Sequence, residues 1–451
     1  MRTRHTLGYV VSIGLLLGGG AGARAQDSGA QDPAAEPPPR APEPAAPNPY
    51  AGDLHTRLRM TGDWGGTRSA LADRGVTFDL FATQFYQGVA AGGREQEFNY
   101  GGKLDYLFAV DGGKLGFWPG GVLNFHAETR YGQSVNNVDG LIAPSNLPLS
   151  FPDPDKSITS ITGFKLTQTL SEDLVVFLGK INTLDEYGFR YAPALGTNRP
   201  GLAGFMNTSL VFNPIVARTL PYSAAGVGGA YLRDGEPLLA FTVFDPEERA
   251  TKGLENLYAR GVVLVPDLTV DVKPLGLPGR YNLGGTWSSA SYRSFDPAAY
   301  LNLPAQLVRD EAAAPKVTGS WSLYANFYQS LRVDEADEKR HWGAFGQFGL
   351  SDGNPNPVRF IANGGIGGQS LLPGRKYDTF GVGYFYFGMS SDFKALAQPL
   401  LPQRDEFGVE LFYNVAITPW ARLTGDLQVA RPSTVGFDTV ILPGLRFQLL
   451  F

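Results

Sequence analysis

From Val76 onward, apolar and polar positions alternate with a period of two. That is the repeat of a strand whose successive side chains point to opposite faces. Between Val122 and Tyr131, Leu123, Phe125, Ala127, Thr129 and Tyr131 share one side, and Asn124, His126, Glu128 and Arg130 share the other. Tyr100, Gly102, Leu104, Tyr106, Phe108 and Val110 alternate with Lys103, Asp105 and Leu107. Trp321, Leu323, Ala325 and Phe327 alternate with Ser322, Tyr324 and Asn326. Phe407, Val409, Leu411, Tyr413 and Val415 oppose Glu406, Glu410 and Asn414, and Ala421, Leu423, Leu427 and Val429 oppose Arg422, Thr424, Asp426 and Gln428. A polar face that carries both a cation and an anion points to a wet surface.

The last strand sharpens the pattern. Ile441, Leu445, Phe447, Leu449 and Phe451 form one row, with Gly444, Arg446, Gln448 and Leu450 on the other. A soluble sheet would bury such a strand under further elements, and nothing follows this one. A closed barrel in lipid resolves the difficulty, because its outer face needs no cover and closure removes the sheet edge.

Asp111-Gly112-Gly113, Ser171-Glu172-Asp173 and Arg233-Asp234-Gly235 read as short turns. Gln133 to Asp155 and Asn182 to about Gly226 read as long loops. Short turns at one end with long loops at the other, at roughly ten residues per strand, give about 16 strands, with 14 or 18 as the alternatives. The expected fold is all-β: a transmembrane antiparallel barrel enclosing a water-filled channel, with a short N-terminal periplasmic helix.

The N-terminal region breaks the alternation. Residues 1–25 read as a signal peptide: Arg2 and Arg4, an apolar run from Leu7 to Leu17, then Ala23-Arg24-Ala25. The mature chain is then expected to begin at Gln26. Residues 26–54 are rich in Pro and Ala and read as a disordered tether. Residues 55–75 form an N-terminal periplasmic segment in which Thr67 to Arg74 suits two helical turns and Gly75 a C-terminal stop. The barrel takes residues 76–451.

Composition narrows the function. The 451 residues include 57 Gly, 20 Tyr and 29 Phe, which suits tight turns and aromatic girdles. Internal apolar runs fall short of the ~18 residues of a membrane helix. A net charge of −5 argues against nucleic acid as a partner. With zero Cys and four His, of which His126 and His341 lack ligand spacing, no metal or cofactor is expected. The chain has no Gly-x-Ser-x-Gly elbow and no phosphate-binding Gly loop. A carboxylate pair for glycoside hydrolysis stays open, against the commoner reading of scattered solvated acids. An enzyme is therefore not expected.

Two blocks carry a resemblance. Gly62-Asp63-Trp64-Gly65-Gly66 is followed by Arg68, Leu71, Gly75 and Val76. Glu410-Leu411-Phe412-Tyr413-Asn414 is followed by Thr418-Pro419-Trp420, Leu423-Thr424-Gly425-Asp426-Leu427-Gln428 and Arg431-Pro432. They resemble the entry and closing strands of the carbohydrate-selective porin family, OprB type, in which a Pro often stands in place of Gly425. Leu178-Gly179-Lys180-Ile181-Asn182 fits more loosely. The resemblance implies passive diffusion of small sugars such as glucose across the outer membrane of a Gram-negative bacterium. It also implies small carbohydrates and outer-membrane lipids as partners, assembly machinery that reads Phe451, and a monomer or homotrimer.

A sugar-conducting pore needs paired hydrogen-bond donors and acceptors, aromatic faces and weak binding. Lys103, Asp105, Glu128, Arg130, Lys165, Lys180, Glu410, Arg422, Asp426 and Arg446 are the wall candidates. The blander reading makes each an ordinary wall residue in bulk-like water. In the long loop, Asp185, Glu186, Arg190, Arg199 and Arg218 are constriction candidates if the loop folds inward. The alternative is a loop that caps the rim. Trp64 reads as a packing anchor, Trp118, Trp342 and Trp420 as girdle residues, and Trp287 as facing lipid. A general or differently specific porin is the competing function.

Overall fold

The computed structural model describes residues 48–152, 157–185, 204–301, 313–335, 337 and 340–451. The signal-peptide reading of residues 1–25 lies outside them. Sixteen strands form one closed antiparallel barrel in chain order. They are β1 (Val76–Gly88), β2 (Phe98–Asp111), β3 (Gly121–Gly132), β4 (Ile158–Thr169), β5 (Leu174–Asn182), β6 (Ser223–Arg233), β7 (Glu236–Phe244) and β8 (Val263–Val272), then β9 (Gly279–Arg293), β10 (Lys316–Val333), β11 (His341–Ser351), β12 (Val358–Gln369), β13 (Thr379–Met389), β14 (Glu406–Thr418), β15 (Ala421–Arg431) and β16 (Val440–Leu450). The strand count and the short helix agree with the sequence reading.

Closure pairs β1 with β16, with Phe81 opposite Leu450 and Tyr86 opposite Leu445. The barrel thus has no free edge to template aggregation. The outer face is apolar, with Leu178, Tyr231, Leu283, Trp287, Leu323, Phe348 and Leu445 all exposed. The expected outward placement of Trp287 is what the register produces. At the turn end, β6 and β7 are joined by Asp234 (φ 54°) and Gly235 (φ 82°). Two positive φ angles make the type I′ turn that suits the twist of a hairpin. At the loop end, the two longest connections are 133–157 and 183–222.

The described parts of these two loops turn into the barrel. Phe205 and Leu210 pack against Phe345, Phe385, Phe412, Val440 and Leu442 inside the barrel. Phe212, Ile215 and Val216 pack against Tyr324, Ile361, Phe387 and Met389. The barrel therefore has an apolar core on its inner face near the loop end, built between wall and loop. Period-two alternation does not reveal this, because it treats the whole inner face as polar.

The segment before β1 packs against the closing seam at the turn end. Helix α1 (Thr67–Asp73) stops at Gly75, whose φ of 91° is left-handed; a Cβ there would lie 2.8 Å from the Asp111 carbonyl oxygen. Arg68 donates to Asp79 (2.9 Å), to the Phe78 carbonyl (2.7 Å) and to the Phe451 carbonyl (3.0 Å). Met60 N donates to the Leu450 carbonyl at 2.8 Å, and Trp420 Nε1 to the Leu54 carbonyl at 2.7 Å. The tether boundary needs correction. Tyr50 is buried beneath the Arg68 guanidinium at 4.3 Å, and Asn48 Nδ2 donates to Ser69 Oγ at 2.7 Å. The packed segment thus includes residues 48–54. Trp64 remains half-exposed, with Arg68 over its ring at 5.2 Å.

Candidate constriction inside the barrel

The loop between β5 and β6 runs across the inner face along a series of wall contacts. Arg446 Nη2 on β16 donates to the Gly204 carbonyl at 2.7 Å. Glu410 on β14 accepts the main-chain N–H of Met206 at 2.5 Å and of Asn207 at 2.9 Å. Asn207 reaches Gln428 of β15 at 3.0 Å. Asn363 of β12 donates to the Ser209 carbonyl at 2.7 Å, and Asn213 donates to Asn326 of β10 at 3.0 Å. Thr219 meets Thr286 of β9 at 2.7 Å.

The loop between β3 and β4 sits beside it. Leu147 N donates to the Met206 carbonyl and Thr208 N to the Pro144 carbonyl, both at 2.9 Å. Glu406 on β14 accepts the N–H groups of Ile142 (2.9 Å) and Ala143 (3.0 Å). Wall carboxylates and amides thus satisfy loop main-chain groups that would otherwise be buried unpaired.

This corrects the reading of several wall candidates as residues in bulk-like water. Glu410 and Arg446 are fully buried and bind the loop. Asp426 is also buried, with Oδ1 accepting from Gln428 at 3.2 Å. Lys180 donates to the carbonyls of Ala250 (3.3 Å) and Lys252 (3.0 Å), securing the connection between β7 and β8. Arg422 donates to the Tyr377 carbonyl at the turn end, 2.9 Å away. Arg218 packs over the Tyr292 ring at 5.1 Å and Phe295 at 5.7 Å. Glu186, Arg190 and Arg199 lie outside the described residues.

Four of the candidates converge in one charged node on β2 and β3. Adjacent strands place Lys103 opposite Arg130 and Asp105 opposite Glu128. Lys103 Nζ lies 2.8 Å from Asp105 and 2.5 Å from Glu128. Arg130 Nη2 lies 3.2 Å from Glu128. Two side chains join that the sequence did not single out for this role. His126 sits between Asp105 (Nε2, 2.9 Å) and Asp185 (Nδ1, 2.6 Å). Tyr222 Oη donates to Glu128 at 2.6 Å and accepts from Arg130 at 3.0 Å. His126 was visible as a polar-face residue, but Asp185 and Tyr222 come from the two ends of a long loop. No spacing rule links them.

Arg130 carries the node to the loop between β3 and β4, donating to the carbonyls of Pro148 at 2.7 Å and of Phe151. Lys103 and Asp185 are the node's most accessible side chains, at 16% and 19%. A small cleft opens beside them, lined by Asn124, His126, Lys165, Lys180, Asn182 and Asp185. Lys165 lies over the Phe177 ring at 5.8 Å.

Among the described residues, Asp105, His126 and Glu128 bring three ligand-type atoms within 4.8 Å of one another. The set fits a metal poorly. Lys103 already bridges both carboxylates, and a divalent ion would have to displace a buried ammonium. The arrangement is an ion-pair network that can offer donors and acceptors to a neutral solute.

The family model described as carbohydrate-selective porin, OprB family, matches residues 95–451. Among solved structures, the high-pH structure of Pseudomonas putida OprB superposes with a TM-score of 0.76 at 19% identity, covering 89% of this chain and all of that one. The low-pH structure of the same protein gives 0.54 at 18% identity, covering 88% and 99%. The outer membrane channel DcaP of Acinetobacter baumannii gives 0.51 at 11% identity, covering 83% and 97%. At these identities the structures support the fold. No curated protein sequence matches the chain.

Proposed function

The chain belongs to the carbohydrate-selective porin family of OprB type, and from that premise we propose that it lets small sugars such as glucose diffuse passively through the outer membrane. The barrel lies in the outer membrane, with its short turns facing the periplasm and its long loops facing outward. Export through residues 1–25 and assembly through the strand ending at Phe451 are part of the same proposal.

The observation that carries the reading is the charged node beside the cleft. A lone cationic ring would favour anions. Here Lys103 and Arg130 are balanced by Asp105, Glu128 and Asp185 within one hydrogen-bonded cluster. On the cleft itself Lys165 lies over the Phe177 ring and Lys180 is held by main-chain carbonyls, so the wall offers donors and acceptors of both kinds, which suits a neutral polyol over an ion. Asn124 and Asn182 on the cleft add amide groups of both kinds. The inward loops narrow the path so that a solute meets this wall.

Liposome swelling tests the proposal. Proteoliposomes should swell faster in glucose than in an amino acid of similar size, and planar bilayers should show a channel. Equal swelling rates would point to a general porin, and absence of any channel would remove the porin function altogether.

A further inference from the structure

At the loop end of the outer face, four neighbouring strands place one apolar row at the rim. Leu350 of β11 stands opposite Phe360 of β12, and Tyr386 of β13 stands opposite Phe407 of β14. The Phe360 and Tyr386 rings stack at 5.6 Å and 26°, and the Tyr386 and Phe407 rings at 6.3 Å and 11°. Arg431 of β15 is opposite Phe407 and lies over its ring at 5.7 Å. A strip of near-parallel rings thus ends in an exposed guanidinium.

A second cation meets it there. Arg404, in the connection between β13 and β14, donates to the carbonyls of Pro432 (3.0 Å) and Phe437 (2.7 Å). Those contacts hold it above the connection between β15 and β16. Burial, and then the charge of Arg431, push the Arg404 guanidinium down from its ordinary range, with Asp438 opposing. Asp405, which accepts from the Tyr386 hydroxyl of the strip (2.7 Å), is also engaged by Lys394 (3.0 Å) and Met389 N (2.9 Å). Among the described residues, neither Arg404 nor Arg431 has an ion-pair partner. Two like charges thus stand near each other at the membrane boundary, and Asp438, the acid that opposes them, forms no ion pair with either among the described residues; an external anion would relieve the repulsion.

We propose that this rim binds the phosphate-bearing headgroup of an anionic outer-leaflet glycolipid, with Arg404 and Arg431 on the phosphate and Phe360, Tyr386 and Phe407 along the acyl chains. The proposal rests on the outward orientation of the loop end given above. Charge complementarity selects the headgroup, since guanidinium pairs recognise phosphate well. The ring strip runs from Arg431 along the same cross-strand row of the outer face, at the rim where the acyl chains of a membrane lipid would begin. A soluble phosphate would engage only the cationic half of this site.

The full-length barrel in detergent can be titrated with hexa-acylated, bisphosphorylated lipid A, with its dephosphorylated form and with inorganic phosphate, and retention read by native mass spectrometry. The phosphorylated lipid should bind about tenfold tighter than the dephosphorylated one. Arg431→Gln, which removes no hydrogen bond of the fold, should weaken it about fivefold. Arg233→Gln, at the opposite end, should leave retention unchanged. Equal retention of the two lipids, full retention by Arg431→Gln, or displacement by equimolar inorganic phosphate would each overturn the proposal. Conductance of the same samples reports separately on the channel, so the two readings can fail independently.

Discussion

The Glu410 carboxylate accepts the main-chain N–H of Asn207 at 2.9 Å, across 203 positions of sequence. Together with Met206 N, this fastens the inward loop to β14. Leaving a buried main-chain N–H unpaired costs about 1–3 kcal/mol. Glu410→Ala should therefore loosen the loop while leaving the barrel closed, because the strand ladder does not depend on it. Single-channel conductance in planar bilayers should rise and become noisier. Conductance identical to the parent protein would mean that this loop does not limit the path.

Lys103 holds two buried carboxylates together. Lys103→Met should leave Asp105 and Glu128 facing each other without the ammonium, at a cost of about 3–5 kcal/mol. The temperature at which the barrel loses its compact form on electrophoresis should drop. Adding Asp105→Asn should recover part of the loss, because it removes one of the opposed charges. If the double variant is less stable by the simple sum of the two changes, the node is not coupled.

Asp139 makes the inward loop between β3 and β4 sensitive to pH. Burial pushes its carboxyl up to about 7 from 3.8, against hydrogen bonds from Ser145 and from Leu141 N. Glu406 on the facing wall bears on the same loop segment, and no cation pairs with Asp139 among the described residues. A folded-state value above the ordinary one means the neutral form is favoured on folding. Its stabilisation is full below about pH 4 and is lost as pH rises through about 7. Channel noise should increase from pH 5 to pH 9, and Asp139→Asn should flatten that dependence. An unchanged pH profile in the variant would assign the effect elsewhere.

Arg68 ties the segment before β1 to both strands of the closing seam. Arg68→Ala should remove its bonds to Asp79, Phe78 and Phe451 and uncover Tyr50, while Arg59 still neutralises Asp79 at 2.7 Å. The expected loss is about 2–4 kcal/mol in the docking of that segment. Proteolysis near residue 60 should accelerate with the barrel intact. Equal protection in both proteins would show that the segment is held by other contacts.

The alternation of Leu123 to Tyr131 with Asn124 to Arg130 was enough to place β3, because a two-sided environment imposes period two on every strand that crosses it. The same reasoning reached the strand count and the type of short connections. Separately, the resemblance carried by the closing block around Trp420 lies within residues 95–451, which match the family model. The sequence offered Glu410, Arg446 and Lys180 as pore-wall candidates, with wall residues in bulk-like water as the blander reading, and neither reading foresaw their bonds to connections between strands. A polar residue on the inner face has the same spacing whether it meets solvent or a loop. The tether boundary failed for a related reason. Tyr50 lies in Pro- and Ala-rich sequence, and only Arg68 gives it a place to pack.

What the sequence by itself determined is the barrel: which residues face lipid, which ends carry turns, and a strand number near 16 that the closed sheet then fixed. Those follow from local periodicity and from turn chemistry, both encoded within a few residues. What only the tertiary structure decided is the interior. His126 meets Asp185, Arg130 meets Tyr222 and Glu410 meets Asn207 because two long connections turn inward, guided by Phe205, Leu210 and Ile215 packing on the wall. Burial of those apolar side chains drives the loops in, and the charged wall groups then bond the main chain that arrives. Both steps depend on contacts between residues far apart in sequence, which no local pattern carries.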